Sequence, residues 1–147
     1  MPSAGYIATA LIMGVIYSIY LPMNSALSRH LGSPLAVNIT FFSIALATSI
    51  LLFLLGGRFE PLSKLKDAPL YLFIPGFLSA FIILGMTFLI PILGPRKTFI
   101  LTISGQVLTA MLVGHFGVFN LPKDPITIPK TIGALLLLAG VVVTTGS

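Results

Sequence analysis

A chain of 147 residues with 7% charged and 56% hydrophobic residues, and a mean hydropathy of +1.10, is too apolar for a water-soluble domain. Such domains keep about 25% charged residues to stay hydrated. The net charge of +5 resides in connecting segments, which points to anionic headgroups and not to a nucleic-acid partner, and the absence of cysteine excludes disulfides, thiolate metal sites and thiol nucleophiles.

Five windows carry no Lys, Arg, Asp or Glu: 1–28, 31–57, 68–95, 98–122 and 131–147. A transmembrane helix needs about 20 mostly apolar residues to cross a hydrocarbon layer about 30 Å thick. Four windows meet that length, and the fifth does so if 125–130 supplies its first turn. The sequence therefore predicts an all-α, polytopic membrane protein whose five transmembrane helices form one domain over 1–147. The first window is too long for the apolar core of a signal peptide and has no basic residue before Arg29, so it is expected to remain as a helix.

In chain order, the first helix is expected over 4–28, closed by Arg29-His30. In Gly32-Ser33-Pro34, Ser33 can cap a second helix and Pro34 suits its first position. That helix runs over 34–57 and ends at a glycine pair. A polar connection, 58–67, follows, with Phe59, Leu62 and Leu65 able to dip into the interface. The third helix spans 69–90, and Pro91 with Gly94-Pro95 makes a tight turn. The fourth covers 95–119 and the fifth 128–145.

Five spans place the two ends on opposite sides. One side then holds Arg58, Lys64, Lys66, Lys123 and Lys130, and the other Arg29, Arg96 and Lys97. Five against three is a weak bias towards a cytoplasmic N-terminus. Such near balance suits a chain that inserts both ways, or a single topology decided by a partner. Arg29, Arg96 and Lys97 either anchor headgroups or draw anions to one mouth.

Ionisable groups within a bilayer mark function because they are costly there. Between its helix ends this chain has none apart from His115. That excludes a carboxylate exchanging a proton for a cation, a metal site and a hydrolytic triad, so neither catalytic residues nor a cofactor is expected. Neutral polar and aromatic groups remain. Tyr17, Tyr20 and Asn24 share one helical face, as do Thr102, Gln106 and Thr109. Tyr17 and Gln106 fall within about 3 Å of their helix midpoints, while Asn24 and Asn38 lie nearer the end carrying the first connection. These seven are the candidate substrate-binding residues, Tyr17, Tyr20 and Gln106 at the midplane and the asparagines towards one mouth; the other reading is hydrogen bonding between helices. Pro22 leaves the Ser18 carbonyl without its helical donor, making either a hinge or a static kink. Pro75-Gly76 admits the same two readings. His115 suits an interfacial hydrogen bond or a proton carrier. Small residues at i, i+4 (Ala10/Gly14, Ala45/Ser49, Gly76/Ala80, Gly105/Thr109, Ala110/Gly114) permit close helix approach, and Gly133 and Gly140 share a face of the fifth helix suited to dimerisation or scaffolding.

Asn24-x-x-Leu27 followed by Gly32-Ser33-Pro34-Leu35, Gly105-Gln106, His115-Phe116-Gly117, and Gly133-x6-Gly140 together resemble the half-size, five-helix YdcZ-type family of inner-membrane proteins in the drug/metabolite transporter superfamily. Full-length members of that superfamily have ten helices built as two five-helix repeats of opposite topology. The resemblance implies a multi-pass inner-membrane protein, two antiparallel copies of which would rebuild the ten-helix transporter. Unlike the four-helix multidrug exporters of the same superfamily, this chain has no glutamate embedded in its first helix. The expectation is a small-molecule transporter working by alternating access, with a neutral, amphipathic or cationic metabolite or drug as substrate, a homodimer as its assembly and the bilayer as its surroundings. A non-transporting scaffold or regulatory subunit, or a lipid-handling protein, is the alternative.

Overall fold

The computed structural model describes residues 4–57, 62 and 64–146. Arg58 and Phe59 lie outside them. Among the described residues all regular structure is helical: α1 (Ala4–Leu31), α2 (Pro34–Gly56), α3 (Ile74–Leu93), α4 (Pro95–Phe116) and α5 (Ile128–Thr145), with single 3-10 turns at Lys64–Asp67, Leu70–Phe73 and Val118–Asn120. Five helices are long and apolar enough to cross a membrane. The 28 residues of α1 span roughly 42 Å and the 18 of α5 roughly 27 Å, so the first exceeds the hydrocarbon thickness and the last barely matches it.

Several helix ends differ from the sequence expectation for local reasons. The helix α1 continues through Arg29-His30 to Leu31. Ser33 caps α2 as expected, its Oγ accepting from the Ala36 N–H at 3.2 Å. The third helix begins at Ile74 behind a 3-10 turn, where the Ile74 N–H reaches the Tyr71 carbonyl. Pro75 follows at once and sits in the first turn of α3, where its missing N–H costs nothing. Pro91 was expected to stop the helix; instead α3 runs through it to Leu93. The turn belongs to Gly94 alone, whose φ of 79° and ψ of 155° suit only glycine. At the far end α4 stops at Phe116, short of 119, because Gly117 turns left-handed (φ 63°) and gives its N–H back to Gly114.

The chain divides into two compact units, Met1–Ile92 with α1 to α3 and Leu93–Ser147 with α4 and α5. In the first, the buried residues gather towards the α1–α2 turn. Leu21, Ser25 and Ser28 recur at i, i+4 and i+7 on α1, Val37 lies in the second turn of α2, and Ile83, Met86, Thr87 and Ile90 line one face of α3. Residues 4–16 of α1 are exposed throughout. In water such apolar surface would drive association, whereas in a bilayer lipid tails solvate it.

One contact explains how α3 tolerates Pro91. Proline has no N–H, so the Thr87 carbonyl, four residues earlier, loses its helical donor. The Ser25 hydroxyl of α1 donates to that carbonyl at 2.9 Å, at a buried position. A second tie joins α2 to α3, where Asn38 Nδ2 donates to the Ala80 carbonyl at 3.3 Å. Ser25→Ala should therefore cost about 1–3 kcal/mol, the usual penalty for leaving a buried polar group unpaired. Pro91→Ala restores an N–H at that position, so the two changes should couple by at least about 0.5 kcal/mol. A double-mutant cycle on the purified protein's unfolding measures this, and strictly additive effects would show that Ser25 does not replace the proline's missing donor.

Candidate substrate site

Most hydroxyls on these helices are returned to the backbone that carries them. Thr9, Thr40, Ser49, Thr98, Thr102 and Ser104 each donate to the carbonyl four residues earlier, which hides a polar group from lipid. Thr102, a candidate from the sequence, thus spends its hydroxyl on Thr98 at 2.8 Å. On the same helix Gln106 and Thr109 are exposed. These three belong to the second unit.

In the first unit the aromatic candidates come together. Tyr17 and Tyr20 meet edge to face with ring centroids 5.5 Å apart, and Tyr20 stacks on Phe41 of α2 at 5.7 Å and 19°. Phe42 stands edge-on to Phe41 at 5.2 Å. Both tyrosines are half-buried, so the cluster offers ring faces as well as hydroxyls. Phe41 was not singled out from the sequence. A stacking partner on another helix has no signature in spacing.

The asparagines sit differently. Asn24 Nδ2 and Asn38 Oδ1 are buried without a hydrogen-bond partner among the described residues, and so is the hydroxyl of Thr87. Thr87 is 1% exposed. Each such group costs about 1–3 kcal/mol if left unpaired. Asn24 adjoins Ser25, the residue that binds the Thr87 carbonyl, and Asn38 holds α3 through Ala80, on the same helix face as Thr87 and about two turns before it. Ser25 and Thr87 escaped the sequence reading because a lone hydroxyl in an apolar helix is usually self-bonded. Their one signal was Pro91, which frees the Thr87 carbonyl.

A groove of about 590 Å³ in the first unit runs between the Gly32–Leu35 turn and Phe81, Leu84, Gly85 and Phe88 of α3. Its polar side chain is Ser33, whose Oγ already caps α2. It contains none of the candidate residues and presents apolar wall to lipid.

His115 closes the end of the second unit. Its Nδ1 accepts the Ile126 N–H at 3.1 Å, which places any ring proton of the neutral imidazole on Nε2. The Asp124 N–H donates to the Gly114 carbonyl at 2.8 Å, and Gly114 leaves room for the Asp124 Cβ, which would stand 3.6 Å from an added side-chain carbon. Lys130 pairs with Asp124 and donates to the Pro125 carbonyl at 2.9 Å. At the opposite end Lys97 donates to the Thr145 carbonyl at 3.0 Å, matching a cation to the negative end of α5. Lys97 therefore has an internal partner as well as a place at the headgroups. Among the described residues no three His, Asp or Glu side chains group as metal ligands.

The sequence model of the family described as "Putative inner membrane exporter, YdcZ" matches residues 5–143. No curated protein and no solved structure matches the chain.

His115→Ala removes the acceptor from the Ile126 N–H. The amide of Ile126 should then exchange with solvent about fivefold faster, the equivalent of one hydrogen bond of about 1 kcal/mol. Hydrogen exchange read by mass spectrometry checks this; unchanged protection would mean that Asp124 and Lys130 hold the segment without the imidazole.

Proposed function

The chain belongs to the YdcZ family of inner-membrane proteins, and from that premise we propose that it carries a small molecule across the membrane as an antiparallel homodimer. Membership in a family described as inner membrane exporters supports a multi-pass membrane transporter rather than an enzyme. The finer reading joins two five-helix copies of opposite orientation around a pathway opening alternately to each side, with Tyr17, Tyr20, Asn24, Asn38, Thr102, Gln106 and Thr109 as the candidate substrate-binding residues. Pro22 serves as the hinge within α1.

The observation that carries this reading is the pairing of a nearly charge-free set of spans with polar groups buried inside them. A membrane protein with no partner among the described residues for Asn24 Nδ2, Asn38 Oδ1 and Thr87 Oγ1 keeps those atoms at a cost, and a transported ligand is a reason to do so. The second copy is supported by the glycines. A Cβ built at Gly14, Gly105, Gly133 or Gly140 would meet nothing within 4 Å, so these small-residue faces are not used for close approach within the described chain. They remain available to another helix. The near balance of Lys and Arg between the two sides supports insertion in both orientations.

The chain has no cysteine, which makes the test direct. Single cysteines at Ser3 and at Ser147 would be labelled in intact cells with an impermeant maleimide, before and after permeabilisation. Roughly half of each variant should label from outside, as equal insertion in both orientations requires. Labelling of Ser147→Cys alone would fix one orientation for every copy and end the antiparallel reading.

A further inference from the structure

Three side-chain atoms in the first unit are buried without partners: the amide nitrogen of Asn24, the amide oxygen of Asn38 and the hydroxyl of Thr87. They come from α1, α2 and α3, one from each. Their chemistry is not symmetrical. Asn24 Nδ2 can only donate, Asn38 Oδ1 can only accept, and Thr87 Oγ1 does both. The other half of the Asn38 amide is already committed to the Ala80 carbonyl, so its oxygen is the end left over. Thr87 could have returned its hydroxyl to the carbonyl four residues earlier, as nine other described Ser and Thr residues do, and it does not.

From this set we infer that Asn24, Asn38 and Thr87 together bind the polar end of a neutral ligand that bears both a hydrogen-bond acceptor and a donor, a carboxamide or an alcohol. A carboxylate offers acceptors only, so it leaves Asn38 Oδ1 unpaired. An ammonium offers donors only and leaves Asn24 Nδ2 unpaired. Neither finds a counter-charge, because 1–28, 31–57 and 68–95 contain no Lys, Arg, Asp or Glu, and Arg29, the next cation along α1, is exposed. A carboxamide or hydroxyl satisfies both kinds of atom at once. The inference narrows the substrate class of the transporter reading and rests on it only in calling the ligand a cargo. The three residues lie within one copy.

The test uses the purified full chain and four probes on one scaffold: benzamide, benzyl alcohol, benzoate and benzylammonium. The neutral pair should raise the melting temperature by at least about 2 °C at millimolar concentration, and the charged pair by less than half as much. Thr87→Val and Asn24→Leu, which keep shape while removing one polar group each, should abolish the neutral shift and leave the unliganded melting temperature equal or higher. Shifts seen in detergent and in phosphatidylglycerol nanodiscs alike identify a free solute as the ligand; shifts lost in nanodiscs identify a lipid's own neutral hydroxyl as the occupant of the same chemistry. Equal or greater stabilisation by a charged probe, no shift from any probe, a shift that survives both substitutions, or a lower unliganded melting temperature in both variants would each overturn the inference. Labelling in a single orientation would end the antiparallel reading and leave these outcomes untouched.

Discussion

The packing of the first unit depends on a backbone carbonyl that has lost its donor. In hydrocarbon no water is present to satisfy a peptide group, so every carbonyl must be paired within the protein. Pro91 takes the donor from Thr87 in the middle of an apolar helix, and Ser25 of α1 supplies another at 2.9 Å. The bond does two things. It lets α3 run on to Leu93 where a proline would otherwise end it, and it fixes α1 against α3 at the level of Leu21, Ser25 and Ser28. Around it gather Ile83, Met86 and Ile90, and apolar packing of this kind has specificity only once such a polar tie sets the register.

The same economy governs the rest of the membrane-spanning chain. Hydroxyls on lipid-facing positions return to their own backbone, and the helix ends use glycine at 94 and 117 where the chain must turn left-handed. The connection before α5 folds back onto α4 through Asp124 and Ile126, and Lys130 of α5 pairs with Asp124 and the Pro125 carbonyl. Against that background of satisfied groups, Asn24, Asn38 and Thr87 stand apart. Among the described residues, Asn24 Nδ2, Asn38 Oδ1 and Thr87 Oγ1 are side-chain atoms that the fold buries without a hydrogen bond.

Function follows from that exception and from the family. A membrane transporter with no acidic residue in its spans cannot hold a cation by a carboxylate within them. The neutral groups that the first unit holds are the ring cluster of Tyr17, Tyr20 and Phe41 and the buried polar atoms of Asn24, Asn38 and Thr87.

Hydropathy and turn chemistry determined the architecture from sequence. Charge-free windows of helix length and Ser33-Pro34 as a helix start are local signals, and backbone hydrogen bonding in lipid leaves helices as the outcome. The stop at Gly117 was not read from the sequence, which carried that helix on to 119. The sequence also limits the candidate site to neutral polar and aromatic groups, because its spans carry no Lys, Arg, Asp or Glu. What tertiary structure alone decided was which neutral groups are paired. Thr102 and Thr87 look alike in sequence, yet one hydroxyl is bonded to its own helix and the other is buried with no partner. Pro91 reads as a helix stop, and becomes an interior residue only because Ser25, sixty-two positions from Thr87, lies within hydrogen-bonding reach. Such pairings depend on how helices distant in sequence pack, and no local pattern of residues encodes them.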